Sequence, residues 1–174
     1  PEHASIITKV KSAIQEVVQL YTTRYDDVFS PMVNGFIEIT WSLLTSTSDE
    51  PKYDILVSKS LAFLTAVSRN PKYFEMFNNQ ESMNNLTEQV ILPNVTLRES
   101  DIELFEDDPI EYIRRDLEGS DTDTRRRACT DFLNELKEKN ETLVTNTFMI
   151  HMKKFFEQYQ SNPAENWKYK DLYV

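Results

Sequence analysis

Glycine is scarce: only Gly35 and Gly119 occur in 174 residues. Sheets need turn glycines and period-two alternation, and there are few of the first and almost none of the second, which argues against a β fold. The same scarcity removes the P-loop and G-x-G-x-x-G motifs, each of which needs closely spaced glycines. A single cysteine, Cys129, excludes an internal disulfide and fits a reducing compartment. It lies between Ala128 and Phe132 on an apolar stripe and reads as a buried structural thiol. With only two histidines, His3 and His151, and one cysteine, the chain is poor in the ligands zinc prefers, which argues against a zinc site. His151 sits at the edge of a Phe148/Met152/Phe155 stripe and reads as an ordinary side chain rather than a base. No apolar run approaches the ~18 residues of a membrane span, and Pro1 to Val18 lacks a signal peptide's apolar core. Without a secretory signal, no sugar is expected on the sequons at Asn85, Asn94 and Asn140. Basic charge is in deficit: 19 Lys and Arg against 29 Asp and Glu, a net charge of −10. That balance argues against nucleic acid as a partner. The chain starts at Pro1 without Met and stops as an apolar stretch begins at Asp171-Leu172-Tyr173-Val174, so it reads as an excised piece.

The remaining composition, 40% hydrophobic and 28% charged, suits a folded protein. Four prolines follow a capping residue: Ser30-Pro31, Asn70-Pro71, Asp108-Pro109 and Asn162-Pro163. The cap's oxygen accepts a free backbone N–H and proline at the first helical position has none to lose, so each pair predicts a helix start. Apolar residues recur at helical spacing between them. Ile6, Val10, Ala13/Ile14, Val17/Val18 and Tyr21 form one stripe, and Val33, Phe36/Ile37, Trp41 and Leu44 the next. A third helix runs from about Pro51 to Arg69. Shorter pieces follow over Pro71 to Phe77 and from Met83 to Leu92, where Pro93 is expected to stop the helix. Further helices are expected at 122–139 and 141–160, with a last one opening after Asn162.

These elements pair as 3–25 with 31–46, 51–69 with 71–92, and 122–139 with 141–160. Early repeat starts lie close to the ~40–47 residues of HEAT and armadillo units. The fold class is therefore all-α, an α-α superhelix of the HEAT/armadillo kind, with a compact bundle as the alternative. Residues 1–92 would hold two hairpins, 93–121 an acidic insertion, and 122–174 a hairpin plus the start of the next repeat. Hairpins bury their stripes only by stacking, so the cut ends should expose apolar surface and support self-association.

The charge excess sits in one place. Residues 99–123 hold eleven acids against Arg114 and Arg115, a local −9 of the overall −10. Ile102, Leu104, Phe105, Ile110, Tyr112, Ile113 and Leu117 are interleaved, which would let the segment dock through apolar residues with its carboxylates outward. It is either a solvated insertion, a strut setting the curvature of the array, or a contact surface for a basic partner. The spacing at Asp101 to Asp108 does not match a calcium loop, which also needs a glycine. Arg125, Arg126 and Arg127 fan around a helix and read as structural, pairing with neighbours such as Glu118, Asp121 or Asp123. No constellation points to an enzyme, a metal or a cofactor.

The run Glu103-Leu-Phe-Glu-Asp-Asp-Pro-Ile-Glu-Tyr-Ile-Arg-Arg-Asp-Leu-Glu-Gly-Ser-Asp-Thr-Asp-Thr-Arg-Arg-Arg127 closely resembles a signature of the CAS-type exportins, the importin-α re-exporters of the importin-β superfamily. Ile91-Leu-Pro-Asn94 and Asn166-Trp-Lys-Tyr-Lys-Asp-Leu-Tyr173 are similar too, and the likeness spans essentially the whole chain, nearest to fungal members. The shorter Glu106–Arg114 motif also resembles some import receptors, so the long run is the more specific. The resemblance implies a shuttling HEAT-repeat receptor that binds GTP-loaded Ran and importin-α in the nucleus and releases them in the cytoplasm, with nucleoporins as further partners. Carried onto this sequence, it makes Glu103, Glu106, Asp107, Asp108, Glu111, Asp116, Glu118 and Asp121 the expected contact carboxylates. A hinge segment of an import receptor, without direct partner contact, is the alternative.

Overall fold

In a computed structural model, residues 3–116 and 124–173 are described, and among them no strand occurs. The described residues form α-helices in the order α1 (Ile6–Arg24), α2 (Asp26–Ser46), α3 (Asp54–Arg69), α4 (Pro71–Phe74), α5 (Gln80–Leu86), α6 (Leu92–Val95), α7 (Glu99–Asp107), α8 (Pro109–Asp116), α9 (Arg125–Lys139), α10 (Glu141–Ser161) and α11 (Trp167–Tyr173). A 3₁₀ turn at Pro51–Tyr53 leads into α3, and a π-turn at Thr87–Ile91 joins α5 to α6.

Two rows of helices enclose the core. The first is α1, α3 and α9 side by side; the second is α2, the α5–α6 helix and α10. α3 is the middle of the first row and is buried on nearly every face, from Leu56 and Val57 through Leu61, Phe63 and Leu64 to Val67. Phe132 of α9 meets Phe77 edge to face at 5.9 Å between ring centroids, and Met83, Leu86, Val90 and Ile91 close that end of the core. Side-chain caps fix several starts: Ser5 accepts from Thr8 N, Asn79 from Ser82 N, Thr124 from Arg127 N and Asn140 from Leu143 N.

The proline-marked starts divide. Asn70 caps α4 by accepting from Lys72 N at 3.0 Å, and Asp108 caps α8 by accepting from Glu111 N at 3.0 Å. Ser30-Pro31 does not start a helix: α2 opens earlier, at Asp26, and carries Pro31 inside it. The i, i+4 row Phe29, Val33, Ile37 is buried in one line, and that packing extends the helix across the proline. Asn162-Pro163 opens a turn closed by Asn166 N–H on Asn162 O (2.8 Å), and α11 begins only at Trp167. Pro93 does not end its helix either. The Leu92 N–H reaches back to Thr87 O, and this wider turn makes room for the Pro93 ring beside the carbonyl it would otherwise strike.

α1 corrects the expected stripe. Its buried face is Thr8, Ser12, Gln15, Val18 and Thr22. Of the expected stripe only Val18 is buried and Tyr21 is half-exposed against Phe29 of α2, while Ile6, Val10, Ile14 and Val17 face outward, Ile6 at 81% exposure. The inward polar groups are satisfied: Gln15 and Thr40 exchange hydrogen bonds at 3.0 and 3.2 Å, and Ser12 and Thr22 donate to carbonyls four residues back. Small hydroxyl side chains let α1 lie close against α3, so its apolar row is left on the open flank of the array.

Candidate partner-binding site

The acidic segment leaves the array after Val95 and returns at Thr124. Between them α7 and α8 form a helical arm, joined by Asp108 and braced by Phe105 against Tyr112, edge to face at 5.5 Å. On α7, residues 99, 103 and 106 follow i, i+4, i+7 spacing and share one face, while Asp101 lies on the other side of the helix. Glu103, Glu106, Asp107, Asp108 and Glu111 are all exposed. The structure therefore brings these five predicted contact carboxylates together on one projecting arm. The backbone of Asp116 ends α8; its side chain, and Glu118 and Asp121, lie outside the described residues, as do Leu117 and Asp123.

The attachment of this arm differs from the apolar docking expected. Phe105 and Ile110 are 52% and 62% exposed, and Ile113 is also exposed, so apolar contact alone does not hold it. The anchor is ionic. Arg98, immediately before α7, donates from Nη1 to Asp54 Oδ1 (2.7 Å) and Asp49 O (3.0 Å). Its Nη2 reaches Asp54 Oδ2 (3.2 Å) and Asp101 Oδ1 (2.8 Å), and its Nε Asp101 Oδ2 (2.9 Å). All five guanidinium N–H groups are thereby used. Asp101 also accepts the Arg98 backbone N–H (3.0 Å), as a third helical residue does in a capping arrangement, and Arg115 Nη2 of α8 (2.9 Å).

From the other side, Arg125 of α9 donates its Nε to the same Asp54 Oδ1 (2.7 Å), and its Nη atoms reach Ser48 O and Glu50 O. The side chains of Arg98, Asp101 and Arg125 are only 9%, 7% and 5% exposed. Burial works against the charge on Arg98, but its hydrogen bonds to Asp101 and Asp54 outweigh that and raise its pKa. Burial likewise opposes ionisation of Asp101, yet the Arg98 hydrogen bonds hold its carboxyl below the ordinary value of 3.8. For Arg125 burial dominates and pulls the pKa down despite Asp54. A guanidinium stays charged at neutral pH regardless.

Arg125 thus pairs with Asp54, 71 residues away; the partners expected for it from the sequence, Glu118, Asp121 and Asp123, lie outside the described residues. Arg126 donates to Val95 O (2.7 Å) and Asp171 (3.0 Å), tying α9 to the arm's base and to α11. Lys168 of α11 meets Glu99 at 2.6 Å. Sequence reasoning passed over Arg98, Asp101 and Asp54 as functional positions. Only the i, i+3 pair Arg98/Asp101 at a helix start carried a local signal for them.

No group of three or more His, Cys, Asp or Glu converges as a metal site among the described residues, and no described helix is long and apolar enough to cross a membrane. A groove of ≈ 790 Å³ crosses α1, α3 and α9, lined by Gln19, Lys59, Arg69, Asp131 and Glu135, with Arg69 and Glu135 paired at 2.8 Å. His151 is buried on α10, its Nε2 3.9 Å from Glu88 Oε1 and its ring against Phe155.

The Cse1 family model matches residues 1–174. The chain belongs to the Cse1 family. It is 78% identical to the importin alpha re-exporter of Saccharomyces cerevisiae over 99% of this chain and 18% of that protein. Against the importin-alpha re-exporter of Schizosaccharomyces pombe it is 43% identical over 95% of this chain and 17% of the relative. Exportin-2 of Homo sapiens is 42% identical over 99% and 18%. Among solved structures, the exportin Cse1 in its cargo-free, cytoplasmic state superposes with a TM-score of 0.96 at 78% identity, covering 98% of this chain and 19% of that one. The chain thus spans under a fifth of these Cse1-family proteins, and its fold is that of the corresponding stretch of the exportin solenoid.

Proposed function

We propose that this chain is the part of a nuclear export receptor that offers an acidic helical arm to a basic protein surface, within a receptor that carries importin-α out of the nucleus together with GTP-loaded Ran. The single observation carrying this reading is the arm itself: five exposed carboxylates gathered on α7, α8 and the link between them, in a chain of the Cse1 family. The names of the relatives, importin alpha re-exporter and exportin-2, support importin-α as cargo. Ran, nucleoporin contacts and shuttling between nucleus and cytoplasm follow from the resemblance and belong to the proposal. So does the division into hairpins at 1–92, an acidic insertion at 93–121 and a hairpin from 122. The chain acts as a binding scaffold, without chemistry of its own.

Ion pairs at exposed carboxylates contribute about 0–1 kcal/mol each and weaken with salt. A full-length receptor carrying Glu106→Gln, Asp107→Asn and Asp108→Asn should therefore bind GTP-locked Ran with importin-α roughly tenfold more weakly at low salt. The difference should shrink as ionic strength rises. Titration by fluorescence anisotropy, with GDP-bound Ran as the control, measures it. Binding that is unchanged at every ionic strength removes the arm from the interface.

The outward apolar row of α1 supports a second expectation. The isolated 174-residue chain should self-associate through Ile6, Val10, Ile14 and Val17, giving a concentration-dependent mass in sedimentation equilibrium. Val10→Glu with Val17→Glu should restore the monomer; a wild-type chain that stays monomeric at high micromolar concentration refutes this.

A further inference from the structure

Both helices of the arm converge on one carboxylate. Asp101 of α7 receives Arg98 from the arm's root and Arg115 from α8. Arg98 then shares Asp54 with Arg125, so the arm, the start of α3 and the start of α9 belong to one connected cluster. Because the donors of Arg98 are fully used and the side chains of Arg98, Asp101 and Arg125 are almost wholly buried, these pairs are screened by salt far less than the carboxylates at the tip. Asp101 is also set apart among the arm's described acid side chains: Glu99, Glu103, Glu106, Asp107, Asp108 and Glu111 are exposed, whereas Asp101 is buried.

We propose that Arg98 and Asp101 are positioning residues for the arm: they clamp α7 and α8 to the starts of α3 and α9, so that the outward carboxylates meet a partner already in place. This deepens the reading of the arm as a contact surface and rests on it. A loose arm would have to be ordered during binding, and that cost would appear as lost affinity without any contact being removed. The clamp makes no contact with the partner and acts only through the carboxylates it orients. Its position also joins the arm to the helix row, so a pull on the arm is transmitted to the stacking of α3 on α9.

The test uses the full-length receptor with Asp101→Asn, which keeps the shape but removes the charge and turns an acceptor into a donor facing Arg98. Hydrogen exchange across residues 99–116 should accelerate by about tenfold or more, while exchange in α1 and α2 stays as it was. Affinity for the GTP-locked Ran and importin-α assembly should fall about tenfold. The dependence of affinity on salt should keep its slope, because the tip carboxylates are intact. Asp101→Glu, which preserves the charge and both acceptor oxygens, should recover most of the lost affinity.

Unchanged exchange over 99–116 overturns the clamp. Faster exchange with unchanged affinity overturns its positioning role. A reduced salt slope, as expected of the Glu106/Asp107/Asp108 variant, would make Asp101 a contact carboxylate and also overturn it. If Asp101→Asn loosens the whole array, Arg98→Lys, which keeps the charge but loses the fork, is read by the same criteria. Failure of the underlying reading looks different: the Glu106/Asp107/Asp108 variant would then bind like the unmodified receptor, whereas failure of the clamp alone leaves that variant weakened.

Discussion

Asp54→Ala should destabilise the 174-residue chain by about 3 kcal/mol, measured as a shift of the urea midpoint at constant slope. The loss does not come chiefly from the removed carboxylate. It comes chiefly from Arg125, whose side chain is nearly buried and which donates to Asp54 Oδ1 at 2.7 Å; Arg98 donates to the same oxygen but keeps Asp101. Stranding a buried charge costs several times what an exposed pair contributes. The assignment of cause can be checked: adding Arg125→Met to Asp54→Ala should recover part of the stability, since a stranded guanidinium is then replaced by an apolar side chain of similar length. A loss below about 1 kcal/mol for the single substitution would mean that the cluster relaxes into solvent and holds little.

Phe132→Ala should cost about 3–5 kcal/mol, read from thermal and urea unfolding monitored by circular dichroism. Phe132 is fully buried on α9, a helix that packs against both α3 and α10, and holds its ring edge against Phe77. Truncation leaves a cavity beside Phe77 in a fully buried part of the core, where the surrounding structure relaxes only partially. Phe132→Leu, which keeps most of the volume, should cost less than half as much. A cost near zero for Phe132→Ala would show that the rows are not packed as described.

Local features of this fold were legible in the sequence where local chemistry decides them. Asn70 and Asp108 cap helices as their proline neighbours predict, and the acidic arm is helical and projects its carboxylates. Reading failed where the deciding partner is distant. Ser30-Pro31 has the form of a helix start, but burial of Phe29 in line with Val33 and Ile37 carries α2 across it. Pro93 has the form of a stop, but a π-turn absorbs it. The outward face of α1 is its apolar one, because which face meets α3 depends on the close approach of two backbones and not on periodicity alone. The anchor of the arm was the least visible feature: Asp54, Arg98 and Arg125 come from three separated stretches, and no spacing rule joins them.

Cys129 offers a practical handle on the arm. Its sulfur is sealed against Ile91 O at 3.6 Å, and burial pushes the thiol up to about 12, so at neutral pH on the order of one molecule in 10⁵ carries a thiolate. Maleimide dyes should pass over it. A cysteine introduced at Asp107 in the 174-residue chain would then be the sole reactive position, and its fluorescence depolarisation would follow the arm's motion with the native thiol left untouched.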